Sequence, residues 1–362
     1  MKIEKIKRIL PDNLKRIIKN KYRSLVGSKS LEVILEEEIE KNIIPGKPLL
    51  LYVANRYNYG DHTRGLGYVH YNFYNSFLRL GYSFIYFDYD RIAQRFGAKK
   101  TSQMLREAIY HYQPEFLFYF HCRDIIDHLV WKEVSNELPT KTIIYLADDF
   151  WRYKFTQSVS SLFNLIVTLD KDAHKRRLSQ GFSNVFFSQW GINQFMYRDL
   201  GLKRIYDVSF IGQAYGDRAK IINRLREAGI KVNTFGQGWP GQKRIGQGDL
   251  LKIYNQSKIV FNISSTSHGN FAINARDFEA PACGALLFTH DIVDIYDYFV
   301  PNKEIITYRD FNDAIKKIKY YLKNQEEAKL IARAGQKRVL VDHTYEKRFQ
   351  EIFKRIGKSS LS

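Results

Sequence analysis

The chain of 362 residues contains few of the residues that build covalent or metal-based scaffolds. Its two cysteines, Cys122 and Cys283, have neither the spacing of zinc ligands nor a partner set for a disulfide framework. This scarcity argues against a structural zinc site and is typical of a reducing cytoplasm. No segment approaches the roughly 20 apolar residues of a membrane-spanning helix, and the N-terminus lacks the apolar core of a secretory signal. We therefore expect a cytoplasmic protein.

Familiar catalytic motifs are also absent. The sequence has no P-loop, no nucleophile elbow and no cluster of metal-ligating residues. It has no recognisable nucleic-acid-binding module either, although basic charge alone supports non-specific phosphate binding. We therefore expect no bound metal or other cofactor, and no specific nucleic acid partner.

What the sequence does contain is enough apolar and aromatic material for two cores. Apolar residues make up 44% of the chain and aromatic residues 15%, and many of the 25 Tyr and 25 Phe fall inside strand-like runs. A chain of this length is long for one core and comfortable for two domains.

Positive charge is concentrated at the N-terminus. The whole chain has a net charge of +19, and residues 1–30 hold ten Lys or Arg against Glu4 and Asp12, a net charge of +8. Apolar residues recur there at helical spacing, interrupted by Pro11. Such a basic amphipathic segment is suited to an anionic membrane surface, such as the inner face of the cytoplasmic membrane. A helix packed on its own domain is an equally good interpretation.

Short apolar runs alternate with helical stretches in both halves of the chain. The candidate strands of the first half are Leu49–Ala54, Tyr82–Asp88, Phe116–Phe120, Thr142–Leu146, Leu165–Leu169 and Val185–Phe187. After a break near Gly191–Arg204, those of the second half are Asp207–Ile211, Lys231–Phe235, Ile259–Ile263, Ala285–Thr289 and Glu304–Thr307. The alternation predicts an α/β fold with two doubly wound, Rossmann-like domains facing an interdomain cleft.

The breaks in this pattern predict four segments. These are a basic N-terminal segment at 1–45, a first Rossmann-like domain at 46–200, a second at 201–340, and a C-terminal helix at 341–362 that is a candidate to pack back on the first domain.

The second half contains the stronger candidates for a nucleotide site. The loop from Gly212 to Arg218 follows a strand and opens a helix, an arrangement that offers backbone N–H groups and a guanidinium to a phosphate. Glu279 opens the next helix before Gly284, where a carboxylate is suited to accepting two hydrogen bonds from a ribose diol. A solvated residue of the first helical turn is the alternative.

Two further residues of the second half have alternative interpretations. Arg276 shares a helix face with Glu279, as an internal salt bridge or as a phosphate ligand beside a ribose ligand. Trp239 lies in a glycine-rich turn, where it either stacks on a base or sugar or packs in the loop.

Polar residues also follow strands in the first half. Asp61 and His62 lie in the glycine-containing loop Asn55–Gly67, and His121 and Asp149 follow later strands. Because adjacent residues of an extended chain face opposite ways, at most one of Asp148 and Asp149 points at a substrate.

These motifs together resemble those of one family, the CgeB-like (spore maturation protein) group of GT-B glycosyltransferases, whose C-terminal domain is of the glycosyltransferase family 1/4 type. The matching residues are Asp207–Gly212, Arg218, Gly236–Trp239, Arg276–Glu279, Ala282–Gly284, Tyr296–Phe299, Glu304 and His343–Tyr345. The resemblance covers residues 205–350 and extends more loosely through Asp148–Trp151 and Phe163–Thr168.

The resemblance implies an acceptor domain followed by a domain that binds a nucleoside diphosphate sugar as donor substrate. It places Glu279 on the ribose of the donor. Related retaining enzymes carry a second glutamate eight residues earlier, where this chain has Phe271, with His268 and Asn270 nearby as donor contacts.

The expected activity is metal-independent transfer of a sugar to a hydroxyl of a glycan, lipid-linked or protein acceptor. Arg218, Arg276 and the amides near Gly212 would stabilise the leaving diphosphate. A retaining reaction is slightly favoured, with the donor phosphate as base; an inverting one would need Asp61, His62, His121 or Asp149. The alternatives are another GT-B nucleotide-sugar enzyme, such as an epimerase, and a non-catalytic basic module that binds RNA or a membrane.

Overall fold

The computed structural model of the chain describes residues 35–264 and 272–357. Within them the chain divides into two compact units. Unit one contains the residues up to Gln189 together with those from Phe349 onward, and unit two is Trp190–Arg348. Most of the predicted basic N-terminal segment, residues 1–34, lies outside the described residues, as do His268 and Asn270.

Unit one is built on a seven-stranded sheet whose order is β1-β3-β2-β4-β5-β6-β7. Its strands are β1 (Glu40–Asn42), β2 (Leu49–Ala54), β3 (Ser83–Asp88), β4 (Phe116–Phe120), β5 (Lys141–Leu146), β6 (Leu165–Thr168) and β7 (Val185–Phe187). From β3 to β7 all neighbours are parallel. Their nearly continuous apolar runs are typical of strands covered on both faces.

Strand β1 is the exception in this sheet. It pairs antiparallel with β3, with Glu40 opposite Tyr86. The sequence does not predict it, because its three residues are polar and exposed and carry no hydrophobic pattern.

Helices connect these strands. A π-helical turn at His70–Tyr74 leads into α1 (Asn75–Arg79), and the helices α2 (Tyr89–Phe96), α3 (Ala98–Tyr112), α4 (His128–Glu137), α5 (Asp149–Ser160) and α6 (Lys171–Ser179) follow. Helix α2 begins at Tyr89 because the Asp88 side chain accepts a hydrogen bond from the Arg91 N–H, and Asp170 caps α6 in the same way.

The two faces of this sheet have cores of different character. One face packs mainly aliphatic residues such as Leu51, Ile85 and Ile144. The other face is largely aromatic. There the Phe349 ring of the C-terminal helix stacks on Phe77 at 4.2 Å between centroids. The C-terminal helix therefore completes the aromatic core of unit one.

Unit two contains a five-stranded parallel sheet of order β12-β11-β10-β8-β9. Its strands are β8 (Tyr206–Ile211), β9 (Val232–Phe235), β10 (Ser257–Phe261), β11 (Leu286–His290) and β12 (Ile306–Tyr308). Its helices are α7 (Arg218–Glu227), α8 (Gln247–Gln256), α9 (Arg276–Ala282), α10 (Phe311–Lys323), α11 (Gln325–Asp342) and α12 (Tyr345–Arg355), and the division between the units passes through α12. In the described part of the chain, no helix combines the length and apolar character needed to cross a membrane.

Residues 190–200, which the sequence analysis groups with the first domain, contribute to unit two. Ile192 and Tyr197 are buried in one of its hydrophobic clusters. The Ile192 N–H donates to the His343 carbonyl, and the Tyr345 N–H donates to the Ile192 carbonyl. These backbone hydrogen bonds fix the segment to unit two.

Both sheets are doubly wound, so each has a point at which the strand order reverses. In unit one this point lies between β2 and β4, and in unit two it lies between β8 and β10. Ligands of open α/β sheets bind outside the carboxyl ends of the strands at such a point. The residues that follow β2, β4, β8 and β10 are therefore the first to consider for function, and the predicted α/β, doubly wound fold class is confirmed.

Candidate functional site

The switch point of unit two brings Arg218 and Arg276 together. Arg218 begins α7, which follows β8, and Arg276 begins α9, which follows β10. A Cβ atom placed on Gly212 would lie 3.4 Å from Nη1 of each arginine. The two guanidinium groups therefore flank the same glycine, whose lack of a side chain leaves the space between them open.

The Gly212 loop is held in place by the segment after β9. A Cβ atom on Gly236 would lie 2.6 Å from the Gly212 carbonyl oxygen, so only glycine allows this close approach. The Trp239 indole N–H donates to the same carbonyl at 2.8 Å. Backbone and indole together fix the position of Gly212 between the two arginines.

The guanidinium of Arg218 is buried at a cost. The side chain is 4% exposed, its Nη1 donates to the Gln213 carbonyl at 3.1 Å, and its guanidinium carbon lies 3.8 Å from the Tyr215 ring centroid. Burial, and then the neighbouring charge of Arg276, lower the pKa of Arg218 to about 10. The group stays protonated at neutral pH. An anion bound beside it would offset both the cost of burying the charge and the repulsion from Arg276.

Arg276 is oriented by a buried polar network. Its Nε donates to Oδ1 of Asn262 at 2.9 Å, and Nδ2 of Asn262 donates to Oδ1 of Asp277 at 2.6 Å. The same Asp277 oxygen accepts from the Thr289 hydroxyl at 2.8 Å, and the other accepts from the Asn274 N–H at 2.9 Å. Burial raises the pKa of Asp277. Because Asn262 uses only Nε, the network fixes the guanidinium, and no hydrogen bond from its terminal nitrogens is seen within the described ranges.

These two guanidiniums make a site for an anion. In the described ranges, neither Arg218 nor Arg276 has a carboxylate oxygen within ion-pair distance. Arg218 donates to the Gln213 carbonyl and has a hydrogen bond with the Tyr215 side chain, and Nε of Arg276 donates to the Asn262 amide oxygen. Two adjacent positive charges that share no carboxylate repel each other, and a phosphate placed between them would accept charge-assisted hydrogen bonds from both.

Glu279 lies in the next turn of α9, but its carboxylate is already occupied. The side chain is 4% exposed, and Oε1 and Oε2 accept hydrogen bonds at 2.8 Å from the hydroxyls of Tyr197 and Tyr254. Gln247 donates in turn to the Tyr197 hydroxyl at 2.8 Å. Burial raises the pKa of Glu279. No ion pair joins Glu279 to Arg276 among the described residues, so the interpretation as an internal salt bridge is wrong. The role of Glu279 as a ribose ligand stays a prediction.

Of the two interpretations of Trp239, the structure shows the packed one. It is buried in the core of unit two, 5.6 Å from Phe210 in an edge-to-face arrangement. A stacking role on a base or sugar is therefore wrong for this structure, because neither ring face is available to a ligand. Its contribution to the site is the hydrogen bond to Gly212.

In unit one, the predicted residues of the first loop lie at the surface. Two 3₁₀ turns follow β2, Asn58–Gly60 and His62–Arg64; Asp61 lies between them and His62 begins the second. The Asp61 carboxylate accepts hydrogen bonds from the hydroxyl and N–H of Thr63 and from Arg64. The Thr63 hydrogen bonds, assisted by Arg64, lower the pKa of Asp61, which weakens it as a general base.

His121 follows β4 at the switch point of unit one. It is 3% exposed, and neither ring nitrogen has a hydrogen-bond partner among the described residues. Burial, and then the charge of Arg152, lower the pKa of His121 to about 4. The ring is therefore neutral at physiological pH and retains both a donor and an acceptor without partners.

Asp149 has a structural role and is not a general base. The Arg177 guanidinium pairs with it, with Nη2 3.0 Å from Oδ1, and both side chains are fully buried. The hydroxyls of Thr156 and Thr168 donate to its two oxygens at 2.7 and 2.8 Å. The prediction of a catalytic role is wrong, since every oxygen is engaged and no substrate reaches the group.

Sequence reasoning missed the residues that support the site. Asn262 and Asp277 have a detectable signal, because each is a polar residue at the end of an apolar strand or at the start of a helix. Tyr197 and Tyr254 have none: in sequence they are two of 25 tyrosines. Among the described residues, no three His, Cys, Asp or Glu side chains converge as metal ligands would.

The fold defines a class of protein: the two α/β sheets resemble those of GT-B glycosyltransferases. An alpha-glucosyltransferase solved with UDP-glucose and DNA containing an abasic site superposes with a TM-score of 0.57 at 11% identity, over 86% of this chain and 100% of that one. Anabaena HepE, solved with UDP and glucose, gives a TM-score of 0.57 at 11% identity over 85% and 98% of the two chains. A glycosyltransferase from Rickettsia africae ESF-5 gives 0.56 at 12% identity over 87% and 100%.

Sequence comparison is more specific. Residues 218–354 match the family model described as "Glycosyl transferase-like". The chain is 23% identical over 307 residues to spore protein CgeB of Bacillus subtilis (strain 168), covering 75% of this chain and 94% of that protein. The CgeB-like resemblance predicted from the motifs is thereby confirmed, and the chain is glycosyltransferase-like.

Proposed function

We propose that this protein transfers a glycosyl group from a nucleoside diphosphate sugar to a hydroxyl of a glycan, lipid-linked or protein acceptor. The observation that carries this proposal is the pair of guanidinium groups beside Gly212, which have no carboxylate oxygen within ion-pair distance in the described part of the chain. The pair lies at the switch point of a sheet, where a nucleotide binds in this architecture.

The pair has the charge that glycosyl transfer requires. When the bond between the anomeric carbon and the diphosphate oxygen breaks, negative charge develops on the leaving diphosphate. Arg276, fixed by Asn262, and Arg218 stabilise that charge without the reorganisation that solvent would need. Two arginines suffice for this task, and we propose that the reaction is independent of a metal ion.

Glu279 remains the proposed ribose ligand. It follows Arg276 by three residues, and each of its oxygens has a second lone pair in addition to the one used by a tyrosine. Binding a ribose diol would require the ribose to replace or join Tyr197 and Tyr254. His268 and Asn270 remain proposed contacts of the donor sugar.

The first-unit residues favour a retaining reaction. Hydrogen bonding lowers the pKa of Asp61, and Asp149 is enclosed in an ion pair, so neither is suited to deprotonate an acceptor. His62 and His121 remain candidates for an inverting base. In a retaining reaction the departing phosphate oxygen accepts the proton of the acceptor hydroxyl, and no protein base is needed.

The experiment that tests this proposal is a thermal-shift screen of the full chain against nucleotide sugars, beginning with UDP-glucose, which occurs in structural neighbours. A ligand at 100 times its dissociation constant stabilises the folded state by about 2.7 kcal/mol. The stabilising donor is then incubated with mono- and oligosaccharide acceptors, and labelled glycoside is measured. Stabilisation followed by interconversion of the donor sugar alone would show an epimerase instead. No stabilisation by any nucleotide would contradict the proposal.

A further inference from the structure

A pair of aromatic side chains is exposed at the carboxyl edge of the sheet in unit one. Trp151 and Phe155 lie four residues apart on α5, which directly follows β5, so they project from the same face of the helix. Their exposed fractions are 53% and 43%. Most other large aromatic side chains of this unit, such as Phe73 and Phe118, are fully buried. The exposure of two neighbouring rings therefore needs an explanation other than core packing.

Charged groups border these rings. The Arg152 guanidinium carbon lies 5.5 Å from the Trp151 ring centroid and 5.1 Å from that of Phe155. The Trp151 indole makes a hydrogen bond to the Asp148 carboxylate, and burial raises the pKa of Asp148. The surface thus combines two flat apolar faces with one donor group and one acceptor group at their margin.

A polar side chain without a partner adjoins the same surface. The His121 ring lies 5.5 Å from the Phe155 ring and is almost fully buried, and within residues 35–264 and 272–357 neither of its nitrogens has a hydrogen-bond partner. A buried donor or acceptor without a partner is unfavourable, and native proteins keep few of them. Because His121 follows β4 at the switch point of its sheet, the partner it lacks is best supplied by a ligand.

We propose that Trp151, Phe155, Arg152 and His121 form a binding site for a pyranose ring of the acceptor glycan. One face of a pyranose carries C–H groups, which pack on the electron-rich face of an aromatic ring, while the hydroxyls around its rim bind charged and polar groups. Arg152 and Asp148 are placed to bind the rim hydroxyls, and His121, whose ring lies 5.5 Å from that of Phe155, offers a donor and an acceptor to a further hydroxyl. The identity of this ligand as an acceptor rests on the proposed glycosyl transfer.

The same observations argue against a lipid surface as the occupant. Aromatic side chains with nearby cations also occur where proteins touch membranes. Here, however, Asp148 lies against the Trp151 indole, and an acidic group opposes binding to an anionic bilayer. Acyl chains, moreover, provide no hydrogen-bond partner for His121.

The structure provides its own reporter for this site. Of the four tryptophans, Trp131 and Trp239 are buried and Trp190 is partly exposed, so Trp151 is the most accessible. We would measure acrylamide quenching of tryptophan fluorescence in the full chain, with maltotriose, chitotriose and galactose at millimolar concentrations as probes. At least one saccharide is expected to protect Trp151 from quenching in a saturable manner.

Two variants and a matched control refine the measurement. Phe155→Ala should weaken saccharide protection roughly tenfold, in line with the loss of one aromatic contact. Phe155→Leu, which keeps apolar area and loses the ring face, should weaken it nearly as much. Leu178→Ala on α6 removes another exposed apolar side chain and should leave protection unchanged. Melting temperatures of all three should match the parent, because the residues are exposed.

The outcomes separate this site from the proposed function. If UDP-sugar binding and turnover occur but no saccharide protects Trp151, the glycan site is overturned and the glycosyl transfer stands. If saccharides protect Trp151 and no nucleotide stabilises the protein, the glycan site stands and the transferase proposal fails. Protection of Trp151 by phosphatidylglycerol vesicles, with none by saccharides, would overturn the site in favour of a membrane contact.

Discussion

The carboxyl edges of the two sheets have the same topology and opposite chemistry. At the switch point of unit two, Arg218 and Arg276 flank Gly212, and in the described structure no carboxylate oxygen lies within ion-pair distance of either. At the switch point of unit one, His121 is neutral and adjoins the exposed ring of Phe155. The first arrangement suits an anion, and the second suits a neutral ligand with apolar and hydroxyl groups.

Under the proposed glycosyl transfer, this difference would assign the leaving group to one unit and the acceptor to the other. The leaving group of glycosyl transfer carries developing negative charge, which fixed cations stabilise. The acceptor is a hydroxyl compound, which a cation-rich site would select poorly. Asp149 of unit one differs from the arginines of unit two in the same respect. Its buried carboxylate is paired with Arg177, so its charge is already neutralised within the protein.

The largest effect on stability is expected at the Asp149 ion pair. Asp149→Ala leaves the fully buried Arg177 guanidinium without a countercharge, which typically destabilises a protein by about 3–5 kcal/mol. Chemical denaturation monitored by circular dichroism measures the change. Asp148→Ala, at the neighbouring residue, provides the comparison and should cost far less, because no fully buried guanidinium depends on it. A stable Asp149→Ala protein that has lost only turnover would restore Asp149 as a catalytic residue.

The largest effect on catalysis is expected at the arginine pair. Arg218→Ala and Arg276→Ala should each lower kcat roughly 10²- to 10³-fold, the range seen when one group that stabilises developing charge is removed. Steady-state kinetics with a saturating donor measures this loss. Lys220→Ala, an exposed cation on the same helix as Arg218, should behave like the parent protein.

The same assay tests the independence from metal ions. Turnover should persist after chelation with EDTA. Complete loss in EDTA, restored by magnesium or manganese, would show that a cation performs the work assigned to the arginines.

An intermediate effect is expected at Glu279. If the carboxylate binds the ribose, Glu279→Ala should weaken donor binding roughly a hundredfold or more, because hydrogen bonds to a charged group are worth about 1.5–3 kcal/mol each. Calorimetric titration with UDP measures the affinity. The variant should also unfold more readily, since the buried hydroxyls of Tyr197 and Tyr254 lose their acceptor.

A conservative variant separates these two consequences. Glu279→Gln retains one acceptor oxygen and most of the packing, so it should recover much of the stability while the ribose loses its charged partner. Unchanged UDP affinity in both folded variants would leave Glu279 with a structural role only.

The smallest effect on the folded domains is expected from the N-terminal segment. Each Lys or Arg near an anionic bilayer contributes about 1 kcal/mol, an effect screened by salt, so residues 1–30 should give measurable binding to anionic vesicles. Deleting them should abolish vesicle binding and leave donor hydrolysis and melting temperature unchanged. If the full chain ignores anionic vesicles at low salt, or the truncated chain unfolds, the segment is part of the fold.

Much of the fold was predictable because each strand of a parallel sheet is a short apolar run that can be recognised in the sequence. Leu49–Ala54 and Phe116–Phe120 are predicted with the boundaries that the structure shows, since strands covered on both faces are continuous apolar runs. Strand β1 was not predicted, because its three polar residues have no strand pattern. It forms because β3 provides a strand with which it can pair. Its existence is a tertiary property.

The candidate site was predictable only in part. Arg218, Arg276 and Gly212 were singled out from their positions after strands and at helix starts, and the structure brings them together. Trp239 and Asp149 were singled out by the same reasoning, yet one is buried in the core and the other in an ion pair. Position in a loop does not show which way a side chain faces.

What the sequence by itself determined is the alternation of strands and helices, the two-domain organisation it predicts, and the set of polar residues placed at the strand ends. These follow from local periodicity and from the order of the elements. What only the tertiary structure decided is which of those polar residues have partners. Tyr197 and Tyr254 reach Glu279 from positions 82 and 25 residues away along the chain, and Arg177 reaches Asp149 from 28 residues away. A charged side chain is available to a ligand only where it lacks such partners. Because the partners lie far away along the chain, the local sequence pattern does not predict them.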